Sequence, residues 1–152
     1  MIKGTLFVSL CLISQVYGDS VNQSQKEELV QKAADARHQA YAPYSKFKVG
    51  AAVLDDKGVI TPGANMENAS YGLTLCAERV AIFSALANGS KYIKAIAVIV
   101  PGGGTPCGAC RQVLNEFNPE LIVLYGNEEG RLVKESNLKE LLPDAFGPHN
   151  LL

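Results

Sequence analysis

The sequence predicts an α/β fold, a three-layer α/β/α domain around a mixed sheet of about five strands. Three observations carry this. From residue 76 onward, helix-period segments alternate with short β-branched apolar runs, the pattern of parallel strands joined by helices. Before that point, Val49 to Leu54 passes through Asp55-Asp56-Lys57-Gly58 into Val59 to Thr61, which predicts an antiparallel hairpin. A length of 152 residues, 47% of them hydrophobic, suits one domain with a substantial core.

The elements follow in order. Met1-Ile2-Lys3 is a short positive start, Leu6 to Ile13 an apolar run, and Val16-Tyr17-Gly18 offers a cleavage point after Gly18. This is the pattern of a secretory signal peptide, residues 1–18, leaving 19–152 as the folded domain and a secreted product. The run is far below the about 20 apolar residues that span a bilayer. The alternative is an extra N-terminal helix on a cytoplasmic protein. Ser24 with Glu27 reads as a capping box opening an amphipathic helix through Leu29, Val30, Ala33, Ala34 and Ala40. The hairpin comes next. A helix starting at Cys76 runs through Val80, Ala81, Phe83 and Leu86 and ends at Asn88-Gly89, a suitable C-cap. Ile93 to Val100 reads as a buried strand. Pro101-Gly102-Gly103-Gly104 is a loop that lacks the Lys-Ser/Thr of a phosphate-binding loop. A helix from Cys107 to Phe117, a strand from Leu121 to Tyr125, a weak strand at Leu132-Val133 and a short helix from Leu138 to Leu142 follow. Gly147 to Leu152 reads as a loose tail.

The chemistry is carried by a split motif, Cys76-Ala77-Glu78 and Pro106-Cys107-Gly108-Ala109-Cys110. Cys107 and Cys110 are three residues apart, so a helix puts them on one face, where one metal can take both. Pro106 fits the first turn of a helix, and the helix N-terminus favours thiolates. Three protein ligands leave the fourth tetrahedral position of zinc open, the mark of a catalytic rather than a structural site. Glu78 stands two residues after the first ligand, placed to serve water at that position. Zinc, water and a proton-shuttling Glu are the parts of hydrolytic deamination of cytosine or adenine. Two simpler readings compete. Cys107 and Cys110 alone could be a redox pair. A structural zinc site needs a fourth ligand, and His38 and His149, the only histidines, stand far from the cysteines in sequence.

Composition narrows the partners. Lys and Arg number 14 against 15 Asp and Glu, so no basic surplus attracts nucleic acid, and a small uncharged substrate is expected. Loss of the leader would take Cys11 with it. The remaining three cysteines are the three proposed ligands, so no disulfide is expected. Export would also expose the sequons at Asn22, Asn68 and Asn88, of which Asn22 and Asn88 look accessible.

The chain resembles the small three-cysteine class of cytidine deaminases from about Gln25 to Phe146. The likeness rests on Tyr41-Ala42-Pro43-Tyr44-Ser45-Lys46-Phe47-Lys48-Val49-Gly50-Ala51-Ala52, Asn65-Met66-Glu67-Asn68-Ala69-Ser70-Tyr71-Gly72-Leu73 and Cys76-Ala77-Glu78-Arg79. It continues through Pro106 to Gln112 and Leu141-Leu142-Pro143-Asp144-Ala145-Phe146. The resemblance implies the fold of that family and one zinc ion per subunit on Cys76, Cys107 and Cys110. It implies Glu78 as the proton carrier between water, N3 and the leaving amine, and deamination of cytidine and deoxycytidine. It further implies that Asn65 and Glu67 hydrogen-bond the ribose, that Phe47 packs on the base, and that Ala77 contributes to substrate binding. Phe146 is implied to reach the base from a neighbouring subunit of a homotetramer. Independently of the resemblance, three thiolates bring more charge to zinc than three imidazoles would, and Arg79, next to Glu78, is placed to offset it by pairing with them. Nucleic acid and membrane are not expected partners. The other readings left open are deamination of a modified nucleoside or of a nucleobase, and a secreted zinc-binding protein without catalysis.

Overall fold

Side chains alternate across a strand, so each face of a central sheet chooses its own helices. The computed structural model describes residues 20–151, and the proposed leader lies outside the described residues. Within them the chain forms α1 (Gln23–Arg37), β1 (Gly50–Asp55), β2 (Ile60–Ala64), α2 (Ala77–Ala87) and β3 (Ile93–Ile99). It continues as α3 (Gly108–Phe117), β4 (Ile122–Gly126), β5 (Leu132–Asn137) and α4 (Leu138–Leu141), with short 3₁₀ turns at Tyr71–Leu73 and Pro148–Asn150. The five strands lie in the order β2-β1-β3-β4-β5. Only β3 and β4 pair in parallel, joined by α3, and the other neighbours are antiparallel. This is the expected mixed sheet in an α/β/α stack. Among the described residues no helix is long and apolar enough to cross a membrane.

The two faces are packed differently. Ala52, Leu54, Ala95, Ala97 and Ile99 meet Leu29, Val30, Ala33 and Ala34 of α1. Ala51, Val53, Ile96, Val98 and Val123 meet Ala77, Ala81 and Ile82 of α2, Leu114 of α3 and Leu138 of α4. Burying a Leu or Ile side chain fully is worth about 1.5–3 kcal/mol. Two glycines permit close approach of helix to sheet. A Cβ on Gly50 would meet Ala33 O of α1 at 2.0 Å, and one on Gly63 would meet Ala81 N of α2 at 2.4 Å. Gly63 therefore fixes how near the helix bearing Glu78 lies to the sheet.

Several boundaries differ from the sequence reading. The cap of α1 is Asn22, whose Oδ1 accepts from Gln25 N–H, while the Gln25 side chain accepts from Asn22 N–H. The box is thus shifted two residues upstream of Ser24 and Glu27, because Asn caps as well as Ser and Gln can replace Glu. Strand β2 extends through Pro62, which an edge strand tolerates. Strand β5 reaches Asn137, well beyond Leu132-Val133. Pro106 precedes the cap residue Cys107 rather than entering the first turn. The tail carries order of its own, since Gly147 N–H donates to Asn150 Oδ1 at 2.8 Å.

Candidate active site

Two helices begin at cysteines. Cys76 is the N-cap of α2, with extended backbone at φ −69° and ψ 152°. Cys107 is the N-cap of α3, at φ −65° and ψ 165°. Neither side chain caps its helix, which leaves both sulfurs free for other partners. Cys110 lies one turn into α3, fully buried. The three sulfurs fall within 4.8 Å of one another, and Cys76 Sγ and Cys107 Sγ are 4.0 Å apart. Thiolates on a tetrahedral zinc, each at about 2.3 Å, stand roughly 3.8 Å apart, so the group fits the ion. Among the described residues neither histidine joins it: His38 caps the end of α1, and His149 lies in the final 3₁₀ turn.

Local electrostatics prepare the sulfurs unequally. Cys76 ionises more readily than Cys110, its pKa brought down to about 5 because the Cys110 thiol donates to it and the Arg79 guanidinium stands beside it. Cys110 is pushed upward, since its proton is held in the bond to Cys76 and burial opposes a second charge. Arg79 Nη2 lies 3.7 Å from Cys76 Sγ and donates to the Thr74 carbonyl at 3.1 Å. The dipoles at both helix starts favour the same negative charge.

Glu78 occupies the first turn of α2 and is only 4% exposed. Burial raises its pKa, and the neighbouring Cys76 charge adds to the rise. A carboxyl in that setting gains and releases protons nearer neutral pH than a solvated one. Ala77 is fully buried, so its side chain cannot face a ligand. As the first residue of α2 its N–H has no intrahelical partner and is the group it can offer.

A small ladder brings the next residues to this place. Met66 and Leu75 exchange backbone hydrogen bonds at 3.0 Å, and Tyr41 bonds to Asn65 and Glu67 on the other side. The segment Asn65–Glu67 is thereby tied to the residue before Cys76. Asn65 is buried; its Oδ1 accepts from Val49 N–H at 2.8 Å and its Nδ2 donates to Phe47 O at 2.9 Å. Glu67 Oε2 accepts from Tyr44 N–H at 2.9 Å and Ser45 N–H at 3.2 Å, and Ser45 Oγ donates to Glu67 Oε1. The Ser45 hydroxyl leads the groups that hold the Glu67 carboxyl below its ordinary pKa. Both side chains thus shape the loop that carries Phe47, where Lys46 takes the left-handed conformation at φ 60°. Each retains hydrogen-bonding capacity for a ligand.

Ser45 carries no assigned role in the sequence reading, because its partner Glu67 is distant in the chain. Phe47 and Phe146 are 46% and 59% exposed. Phe146 follows α4, and its carbonyl accepts from Gln112 Nε2 at 2.9 Å and Asn115 Nδ2 at 3.2 Å. Tyr44 and Tyr71 stack edge to face at 5.8 Å, also exposed.

Residues 23–125 match the family model described as the cytidine and deoxycytidylate deaminase zinc-binding region. A protein of Sporosarcina psychrophila named cytidine deaminase is 46% identical over 128 residues, covering 82% of this chain and 93% of that one. One of Halalkalibacterium halodurans, with the same name, is 48% identical, covering 80% and 93%. The crystal structure of cytidine deaminase from Burkholderia pseudomallei superposes with a TM-score of 0.73 at 50% identity, covering 78% of this chain and 97% of that one.

Proposed function

This chain belongs to the cytidine and deoxycytidylate deaminase family, and on that premise we propose that it hydrolyses cytidine and deoxycytidine to uridine and deoxyuridine, releasing ammonia. The observation that carries the reading is three cysteine sulfurs gathered within 4.8 Å beside a buried Glu78. Cys76, Cys107 and Cys110 would hold one zinc ion. Zinc on three protein ligands supplies the nucleophile, by acidifying water at neutral pH.

Glu78 moves the protons. It takes one from the attacking water and delivers it to N3 of the pyrimidine, while the oxygen bonds to C4. That proton stays on N3 in the product. Glu78 then carries the second water proton to the exocyclic amine, the C4–N bond breaks, and ammonia leaves. Such transfers are typically worth about 10² to 10⁴ in rate. Arg79 offsets the negative charge of the sulfurs. Asn65 and Glu67 orient the ribose, Phe47 packs on the base, and the Ala77 backbone meets the substrate. Purified protein incubated with cytidine should form uridine and ammonia in equal amounts. Activity should vanish with a zinc chelator and return with zinc. No turnover by zinc-loaded protein would overturn the assignment. Single-stranded DNA should not be a substrate, because the chain has no basic surplus.

The chain works as a homotetramer in which Phe146 of one subunit completes a neighbour's site. Support comes from the exposure of the large aromatic side chains Phe47 and Phe146, and light scattering measures the mass. Residues 1–18 are a removable leader that exports the enzyme, a reading supported only by Lys3, the run Leu6 to Ile13 and the small residue Gly18, with a cytoplasmic protein as the alternative. Native protein should then start at Asp19. An intact Met1 on cytoplasmic protein would overturn export and leave the enzyme assignment standing.

A further inference from the structure

The three proposed ligands differ in what holds them. Cys110 is buried in α3, and Cys76 follows the residue paired with Met66. Cys107 is exposed, and it follows a run in which Gly102 and Gly103 both take positive φ. Such a loop has much freedom to lose. Its support comes from Arg111. Nε donates to Pro106 O at 2.8 Å, Nη2 to Thr105 Oγ1 at 2.6 Å, and Nη1 to Leu141 O at 2.7 Å. The backbone N–H of Arg111 donates to Cys107 O at 3.0 Å. One guanidinium thus ties both residues entering Cys107 to the last residue of α4.

We propose that Arg111 is a positioning residue for the metal, aiming the Cys107 thiolate by fastening the loop before it to the end of α4. The inference rests on the zinc reading above. Arg suits the task because its planar fork carries five donors in fixed directions, which the single ammonium of Lys cannot reproduce. The anchor is also shared. Leu141 begins the segment that runs to Phe146, whose carbonyl is held by Gln112 and Asn115 of the same helix. Gln112 and Asn115 hold only that segment, so they provide a control that leaves the Cys107 loop untouched.

The test compares full-length wild-type protein with Arg111→Lys, Thr105→Val and Gln112→Ala. Zinc affinity is measured by competition with a chromogenic chelator, and thermal unfolding of the metal-free forms is followed alongside. Arg111→Lys should weaken zinc binding about 10- to 100-fold, the usual cost of losing a group that orients a ligand, with metal-free stability close to wild type. Thr105→Val should weaken it less, and Gln112→Ala not at all. Wild-type zinc affinity in Arg111→Lys overturns the proposal. So does a loss that merely follows lowered metal-free stability while Thr105→Val binds zinc normally. Wild-type protein that takes up no zinc sinks the functional reading and this one together. Zinc uptake that ignores Arg111 sinks this one alone.

Discussion

At the metal end of the site Cys110 and Ala77 are fully buried and Glu78 is 4% exposed, whereas in the segments proposed to recognise substrate, together the mouth, Phe47 is 46% and Phe146 59% exposed. The metal end stands on two helix starts packed against the sheet, with Ala77, Ala81 and Leu114 in one core. The mouth is built of loops whose order comes from side chains bonded to backbone, chiefly Asn65 and Glu67. Burial and helix geometry hold the cysteines and Glu78 within the chain. The mouth leaves large aromatic rings in water, at a cost that a second subunit or a bound nucleoside would recover. Chemistry and recognition should therefore fail separately.

The largest effect should come from the metal end. Cys110→Ser removes one of the three proposed ligands, so zinc content and turnover should fall together. Loss of the metal's contribution, several kcal/mol, is worth roughly 10³-fold or more in rate. Elemental analysis beside the kinetics checks it, and a zinc-loaded, active Cys110→Ser protein would erase the contrast. At the mouth, Glu67→Gln should raise KM about 10- to 100-fold with zinc content unchanged, since a hydrogen bond to a charged group is worth about 1.5–3 kcal/mol, and Phe146→Ala should do the same by losing about 1.5–3 kcal/mol of buried apolar contact. A fall in kcat with KM unmoved would place these residues in the chemistry instead. If Phe146 acts on a neighbouring subunit, mixing Phe146→Ala with Glu78→Gln chains should restore part of the activity.

Smaller effects test the scaffold. Gly63→Ala should cost about 1–3 kcal/mol by pushing β2 from α2, and should lower kcat as well, because α2 carries Glu78. Gly58→Ala, at a positive φ with open space around it, should affect stability alone. Asp55 is the mildest case. Its carboxylate accepts from Lys57 N–H, Val59 N–H and Ser90 Oγ, and although burial opposes its charge, these bonds, led by Ser90, lower its pKa. A depressed carboxyl contributes stability above its unfolded pKa, near 3.9, that is lost as pH falls through the lower folded value. Asp55→Asn should shrink that acid-side loss in a thermal-melt series, with no change in turnover near neutral pH.

The metal end was legible in the sequence, and the mouth much less so. Cys76, Glu78, Cys107 and Cys110 lie in two short segments whose spacings already imply a shared metal. The ladder joining Tyr41, Met66 and Leu75 has no local signature, because single backbone pairings leave no periodic pattern. The clamp of Ser45 on Glu67 was hidden because its partners stand far apart in the chain and meet only once the loops fold. Strand β5 was read short because Val133, Lys134 and Glu135 are all exposed at the sheet edge, so no apolar alternation marks them. Arg111 follows Cys107 by one helical turn, a spacing that permits its side chain to fold back, but its bond to Leu141 depends on where α4 docks.

The most direct test of the account is Glu78→Gln, zinc-loaded and folded, assayed with cytidine. Gln keeps the size of the side chain and cannot carry a proton, so kcat should fall by about 10² to 10⁴ while zinc stoichiometry and cytidine binding persist. Near wild-type turnover in that protein would remove Glu78 from the proton path and contradict the central claim.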